Sequence, residues 1–105
     1  MPYTILYHPD VKSIDIPLID ARMRERIRKA IETRLSTAPQ DYGTPLRKTL
    51  AGYWKLRVGD YRVVFRVGKT TIHVLGIRHR KSIYEDVKKR KDGATARSAG
   101  SRAVA

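Results

Sequence analysis

Lys55, Arg57, Arg62 and Arg66 fall inside one short block, KLRVGDYRVVFR, in which Asp60 is the only acid. A second block, RHRKSIY, brings Arg78, His79, Arg80, Lys81 and Tyr84 together. These are closely spaced cations, a histidine able to move a proton, and a tyrosine, Tyr84, able to stack on a base, with Tyr53 beside the first block. Such a set suits a phosphodiester polyanion, and single-stranded RNA offers both the charge and the open base faces. Other chemistries fit poorly. His8, His73 and His79 do not fall with carboxylates in a metal-ligand pattern, and there is no cysteine for a thiolate site. Glu85-Asp86 reads as acidic charge at the start of a helix. No glycine-rich phosphate loop or nucleophile elbow is present, and nothing marks a cofactor.

The first block must be held by a β-hairpin. A two-residue turn at Gly59-Asp60 pairs Val58 with Tyr61. Counting outward, Arg57 faces Arg62, Leu56 faces Val63, Lys55 faces Val64, Trp54 faces Phe65 and Tyr53 faces Arg66. Side chains alternate across a sheet. One face therefore carries Trp54, Leu56, Val58, Tyr61, Val63, Phe65 and Val67, and the other Tyr53, Lys55, Arg57, Arg62, Val64 and Arg66. A slip of one residue would mix the two sets, so their clean separation argues for this register. Cations placed opposite each other repel. A solvated sheet face ordinarily mixes signs, whereas this one has no acid, as expected of an anion site whose bound phosphate relieves the repulsion.

The remaining elements supply a scaffold. YTILY, residues 3–7, reads as a first strand. A short helix is expected over 11–15, capped by Asp10. Pro17 and Asp20 open a long helix in which Ile19, Met23, Ile27, Ala30, Ile31 and Leu35 recur at three- and four-residue steps, with a charged, solvated face opposite. Strands are expected over 46–50 with 53–58, over 61–67 and over 71–77, followed by a short helix over 83–91. The fold class is α+β: an antiparallel sheet of about four strands, two N-terminal helices on one face, and a short C-terminal helix. The opposite face is left free for function. Residues 1–91 form the domain, and 92–105, rich in Ala, Gly, Ser and Arg, are expected to be a disordered basic tail.

The chain has 105 residues and a formal net charge of +13, from 23 basic and 10 acidic side chains. The end of the chain, with Lys88, Lys89, Arg90, Lys91, Arg97 and Arg102 against Asp92, holds only part of the excess. A surface this basic attracts nucleic acid or an anionic membrane, and nucleic acid is preferred because the cations cluster on one face. No apolar run is long enough to span a bilayer and no secretory signal is visible, so a cytoplasmic protein is expected.

GYWKLRVGDYRVVFRV, followed after a short gap by IHVLGIRHRKSIY, resembles the RelE branch of the RelE/ParE toxin superfamily of type II toxin–antitoxin systems. The preceding RERIRKAIETRLSTAPQDYGTPLRKTLAG is similar to that family's long helix and loop, so the resemblance spans about residues 3–87. It implies a RelE-like fold and a toxin that is a metal-independent, ribosome-dependent endoribonuclease. In such a reaction the ribose 2′-hydroxyl of mRNA attacks the adjacent phosphate, leaving a cyclic phosphate and a 5′-hydroxyl. The implied partners are a cognate antitoxin and mRNA in the decoding site with its ribosomal RNA. Operator DNA is reached only through the antitoxin complex, and no membrane is involved.

The resemblance assigns Lys55 as a base, Arg62 as a phosphate-stabilising cation, Arg78 as an acid, and Tyr84 as the ring that stacks on or orients the base. His79 is kept as an alternative acid or base. Arg57, Arg66, Arg80, Lys81 and Tyr53 are left as RNA contacts. The chain departs from some members at Tyr53, where they carry a second lysine, and it has no counterpart of the acidic base that others use. A ParE-type toxin that inhibits DNA gyrase without cutting nucleic acid is the alternative, and a catalytically silent RNA-binding module is another.

Overall fold

The Gly59-Asp60 turn fixes the centre of the molecule. Gly59 has φ +60° while Asp60 stays at negative φ, the pattern of a type II′ turn with glycine at its first central position. The strands on either side, β3 (Trp54–Val58) and β4 (Tyr61–Val67), pair in the expected register, Arg57 opposite Arg62 and Lys55 opposite Val64. This computed structural model describes residues 3–91. The expected tail, 92–105, lies outside the described residues.

The sheet has five strands rather than about four, and it is mixed rather than wholly antiparallel. Its order is β1-β5-β4-β3-β2, with β1 (Thr4–Tyr7) running parallel to β5 (Thr71–His79) and β2 (Thr44–Pro45) at the far edge. Parallel pairing needs a long crossover, and the N-terminal helices, together with the intervening strands, lie between these two strands. The last strand runs to His79, two residues beyond the expected end. The expected strand over 46–50 is absent. Thr44–Pro45 forms a two-residue β2 against β3, and Lys48–Leu50 closes into a 3₁₀ turn. Lys48 there has φ 57°, a left-handed conformation incompatible with a strand. The turn drives Leu50 inward to 5 % exposure.

The helices follow from the apolar spacing. A wide helical turn at Val11–Asp15 and a 3₁₀ turn at Ile16–Leu18 precede α1 (Ala21–Ala30). Asp20 caps α1 by accepting from Met23 N at 2.9 Å, a contact of ~1 kcal/mol. Asp10, expected to cap the first turn, makes no side-chain capping bond. Past Ala30 the helix loosens by one residue, Ser36 N donating to Ile31 O, so that the stripe ends in buried Leu35. A short α2 (Pro39–Tyr42) leads back to the sheet.

Two cores flank the sheet. The larger packs Val11, Ile19, Ile27, Ile31 and Leu35 against Leu56, Val63 and Phe65, with Trp54, Tyr61 and Val67 at its margin. This is the expected apolar face under the N-terminal helices. Each fully buried side chain of this kind contributes ~1.5–3 kcal/mol.

The second core overturns the expectation of a free opposite face. Helix α3, residues 83–91, lies across that face, and Ile83 and Val87 pack on Val64, Leu75 and Leu50. Two details of β5 make room for it. A bulge between Val64 and Phe65 leaves Leu75 as an extra residue, and Leu75 turns into this core. Gly76 lets the helix approach closely, since a Cβ there would stand 2.7 Å from Val87 Cγ1.

Candidate nucleic-acid interface

Strand pairing alone aligns three arginines. Arg57 is opposite Arg62 across β3 and β4, and Arg62 is opposite Arg78 across β4 and β5. They share the face that α3 half covers. Arg62 is only 8 % exposed, and its Nη1 donates to the carbonyls of Gly59 and Tyr61 at 3.0 and 2.9 Å. It therefore ties down the turn while standing between the other two. Arg57 is exposed.

The next row inward is Lys55, Val64 and Gly76. Here α3 brings Tyr84 over the sheet, with Lys55 Nζ 5.8 Å from its ring centroid, a cation–π contact. Lys55 and Tyr84 lie 29 positions apart in sequence, so only the docking of α3 joins them. Arg66 lies in the outer row, opposite His73. Burial, helped by the Arg66 charge, holds the His73 imidazole below its ordinary value of 6.5. Tyr53 is half-buried beside the second core.

The remaining candidates separate from this cluster. His79 is paired with Tyr61, which packs at the margin of the larger core, and their rings meet edge to face at 5.8 Å. It therefore belongs to the other face of the sheet from Arg62 and Arg78, with Nδ1 accepting from Lys81 N at 3.2 Å. The expectation that His79 joins the basic patch is corrected by the alternation of Arg78 and His79 at the end of β5, beyond its bulge. Arg80 and Lys81 are exposed in the turn after β5, where Arg80 N donates to Asp60 O at 2.8 Å and binds the turn to the hairpin tip.

The patch is also less free of acids than the hairpin alone implies. Arg78 Nη1 lies 3.4 Å from Asp15 Oδ1, and Arg78 Nη2 lies 3.2 Å from Asp86 Oδ2. Asp15 is fully buried. It accepts from Ile77 N at 2.8 Å, filling the edge of β5 beyond the end of short β1, and it holds Arg90 through two contacts of 2.6 Å. The Asp15 bonds raise the Arg90 guanidinium above its ordinary value against the opposing effect of burial. Arg90 thus anchors α3 and is no part of a solvated tail. Its position held a signal. In the stripe Ile83, Val87, Arg90 a cation takes the third apolar place, which demands a buried acid.

The α+β fold is shared with solved RelE-type toxins. The toxin–antitoxin complex RelBE2 from Mycobacterium tuberculosis superposes with a TM-score of 0.71 at 30% identity, over 76% of this chain and 93% of that one. RelE from E. coli, solved in the free state as a double arginine-to-alanine mutant, gives 0.66 at 17% identity over 86% and 98%, a likeness of fold alone. The sequence model for the ParE toxin of type II toxin–antitoxin systems matches residues 5–84, and the chain belongs to that family, in the RelE branch of the RelE/ParE superfamily. Toxin RelG of Mycobacterium tuberculosis is 33% identical over 86 residues, covering 80% of this chain and 98% of the relative. Toxin RelE3 of Methanocaldococcus jannaschii is 32% identical over 74 residues, covering 68% and 84%.

Proposed function

We propose that this toxin cleaves mRNA on the ribosome, in the cytoplasm, and is silenced by a cognate antitoxin. The observation that carries the reading is the Arg57–Arg62–Arg78 row lying beside Lys55 under Tyr84. Tyr84 stacks on or orients the base, and the arginines gather the phosphate. The ribose 2′-oxygen bonds to phosphorus, its proton passing to Lys55 as base, and the phosphorus–5′-oxygen bond breaks. Arg62 and Arg78 offset the charge gained in the transition state. Arg78 is the candidate nearer to hand for protonating the departing oxygen, since His79 belongs to the opposite face.

The antitoxin reading draws on RelBE2 and on RelB–RelE from Methanococcus jannaschii, both solved as antitoxin–toxin complexes. An open groove of about 440 Å³ beside α1, floored by Ile16, Ile19, Ile27, Ile31 and Ile77, offers an apolar seat for a helix or strand of such a partner. No helix among the described residues is long and apolar enough to cross a membrane.

Induction in a host followed by mapping of transcript 5′ ends tests the reading. Cuts phased to codons, lost in Lys55→Ala and weakened in Tyr84→Phe, are expected. The family's ParE name keeps the ParE-type alternative, gyrase inhibition, as the rival reading. Arrested growth with intact transcripts and broken chromosomes would select it instead.

A further inference from the structure

We infer that Asp86 is a positioning residue for RNA cleavage, acting through Arg78 by holding its guanidinium in line with Arg62; this rests on the function proposed above. Three cations in one cross-strand row repel each other, and a long side chain relieves that repulsion by swinging toward solvent. Arg62 is held by the hairpin carbonyls, and Arg57 faces open solvent. Arg78 has neither arrangement. Its side chain is 24 % exposed and is held by carboxylates at both Nη atoms, Asp15 from the N-terminal turn and Asp86 from α3.

The two carboxylates are not equivalent. Asp15 is already engaged by Arg90 at 2.6 Å twice and by Ile77 N at 2.8 Å, so its 3.4 Å contact to Arg78 is secondary. Asp86 Oδ2 is sealed from solvent, makes no aligned hydrogen bond, and has Arg78 Nη2 at 3.2 Å. A shielded carboxylate oxygen in that state is held by the charge of the guanidinium beside it. The same helix presents Tyr84 to Lys55 and is anchored by Arg90. Asp86 therefore sets Arg78 relative to the ring that would hold the substrate base, while the Arg78 side chain keeps 24 % of its surface exposed.

The test uses the purified full-length toxin on mRNA-programmed ribosomes, with Asp86→Asn made alone and in an Arg78→Ala background. Asp86→Asn is expected to lower kcat about tenfold with KM nearly unchanged, and to change it by less than about twofold when Arg78 is already alanine. Asp86→Glu, which retains the charge, is expected to restore most of the lost rate. The Arg78 Nε–Hε resonance is expected to move in Asp86→Asn while those of Arg57 and Arg62 stay in place. If Asp86→Asn does not fold, Asp86→Ser carries the same comparison. Equal losses in both backgrounds, or an unchanged kcat at a lowered melting temperature, overturn the inference and leave Asp86 a stabilising residue only. A toxin that does not cleave, or cleaves equally well without Arg78, overturns the proposed function and this inference with it. Cleavage that needs Arg78 and ignores Asp86 overturns this inference alone.

Discussion

Replacing Arg90 with alanine should unfold this protein more readily than any surface change of the same size. Arg90 reaches Asp15 through two contacts of 2.6 Å, with side-chain exposures of 7 % and 0 %. Taking the cation away leaves a carboxylate in the interior, and breaking such a pair costs ~3–5 kcal/mol. Asp15 keeps the Ile77 amide at 2.8 Å and the Arg78 guanidinium at 3.4 Å, which places the loss near the lower end, ~3 kcal/mol. For a domain of this size each kcal/mol moves the melting point by roughly 4–8 °C, so a fall of about 12–24 °C is expected. Thermal and urea unfolding followed by circular dichroism measure it. The double substitution Asp15→Leu with Arg90→Met removes both charges and should recover part of the loss, because an apolar pair avoids the desolvation penalty while the Ile77 amide is left without its acceptor. A loss under about 1 kcal/mol for Arg90→Ala, or a double variant no better than the single, would refute the claim that a desolvated charge governs the docking of α3.

Two further outcomes are predicted. Gly76→Ala places a Cβ 2.7 Å from Val87 Cγ1 and 3.2 Å from Arg90 Nη1, and should destabilise by ~1–3 kcal/mol as α3 is pushed off the sheet. The melting point and the NMR ring resonances of Tyr84 both report it. His73 should titrate below 6.5 by NMR, and Arg66→Ala should raise its midpoint toward that value. Because the folded imidazole binds its proton less readily than the unfolded one, stability is fully present above 6.5 and declines as pH falls through the window below it. His73→Gln should flatten that decline.

The hairpin was legible because its register is local: one two-residue turn fixes every pair from Val58–Tyr61 to Trp54–Phe65, and alternation does the rest. The stripe from Ile19 to Leu35 was legible for a similar reason, since helical periodicity is a short-range signal. What escaped depends on contacts between distant segments. Thr4 pairs with Thr71, and Asp15 meets Arg90, 75 positions away. No local pattern encodes either contact. The segment 46–50 misled because Leu46 and Leu50 are apolar for the second core rather than for a strand. That core then covers half the face expected to be free.

The candidate site divides along the same line. Lys55, Arg57 and Arg62 were placed together by register. Tyr84 joins them only because Ile83 and Val87 seat α3 on the sheet. Counting by alternation along β5 from Arg78 puts His79 on the opposite face, so that separation follows once the strand is seen to reach the final histidine.

Lys55, the arginine row and Tyr84 are proposed to form one RNA-cleaving surface. The most direct measurement is the chemistry of the product ends after purified toxin acts on mRNA in programmed ribosomes. A 2′,3′-cyclic phosphate and a 5′-hydroxyl are expected at a cut within the decoding site, absent for Lys55→Ala. An intact message under the same conditions, with DNA breaks accumulating when the toxin is given gyrase and DNA, would contradict it.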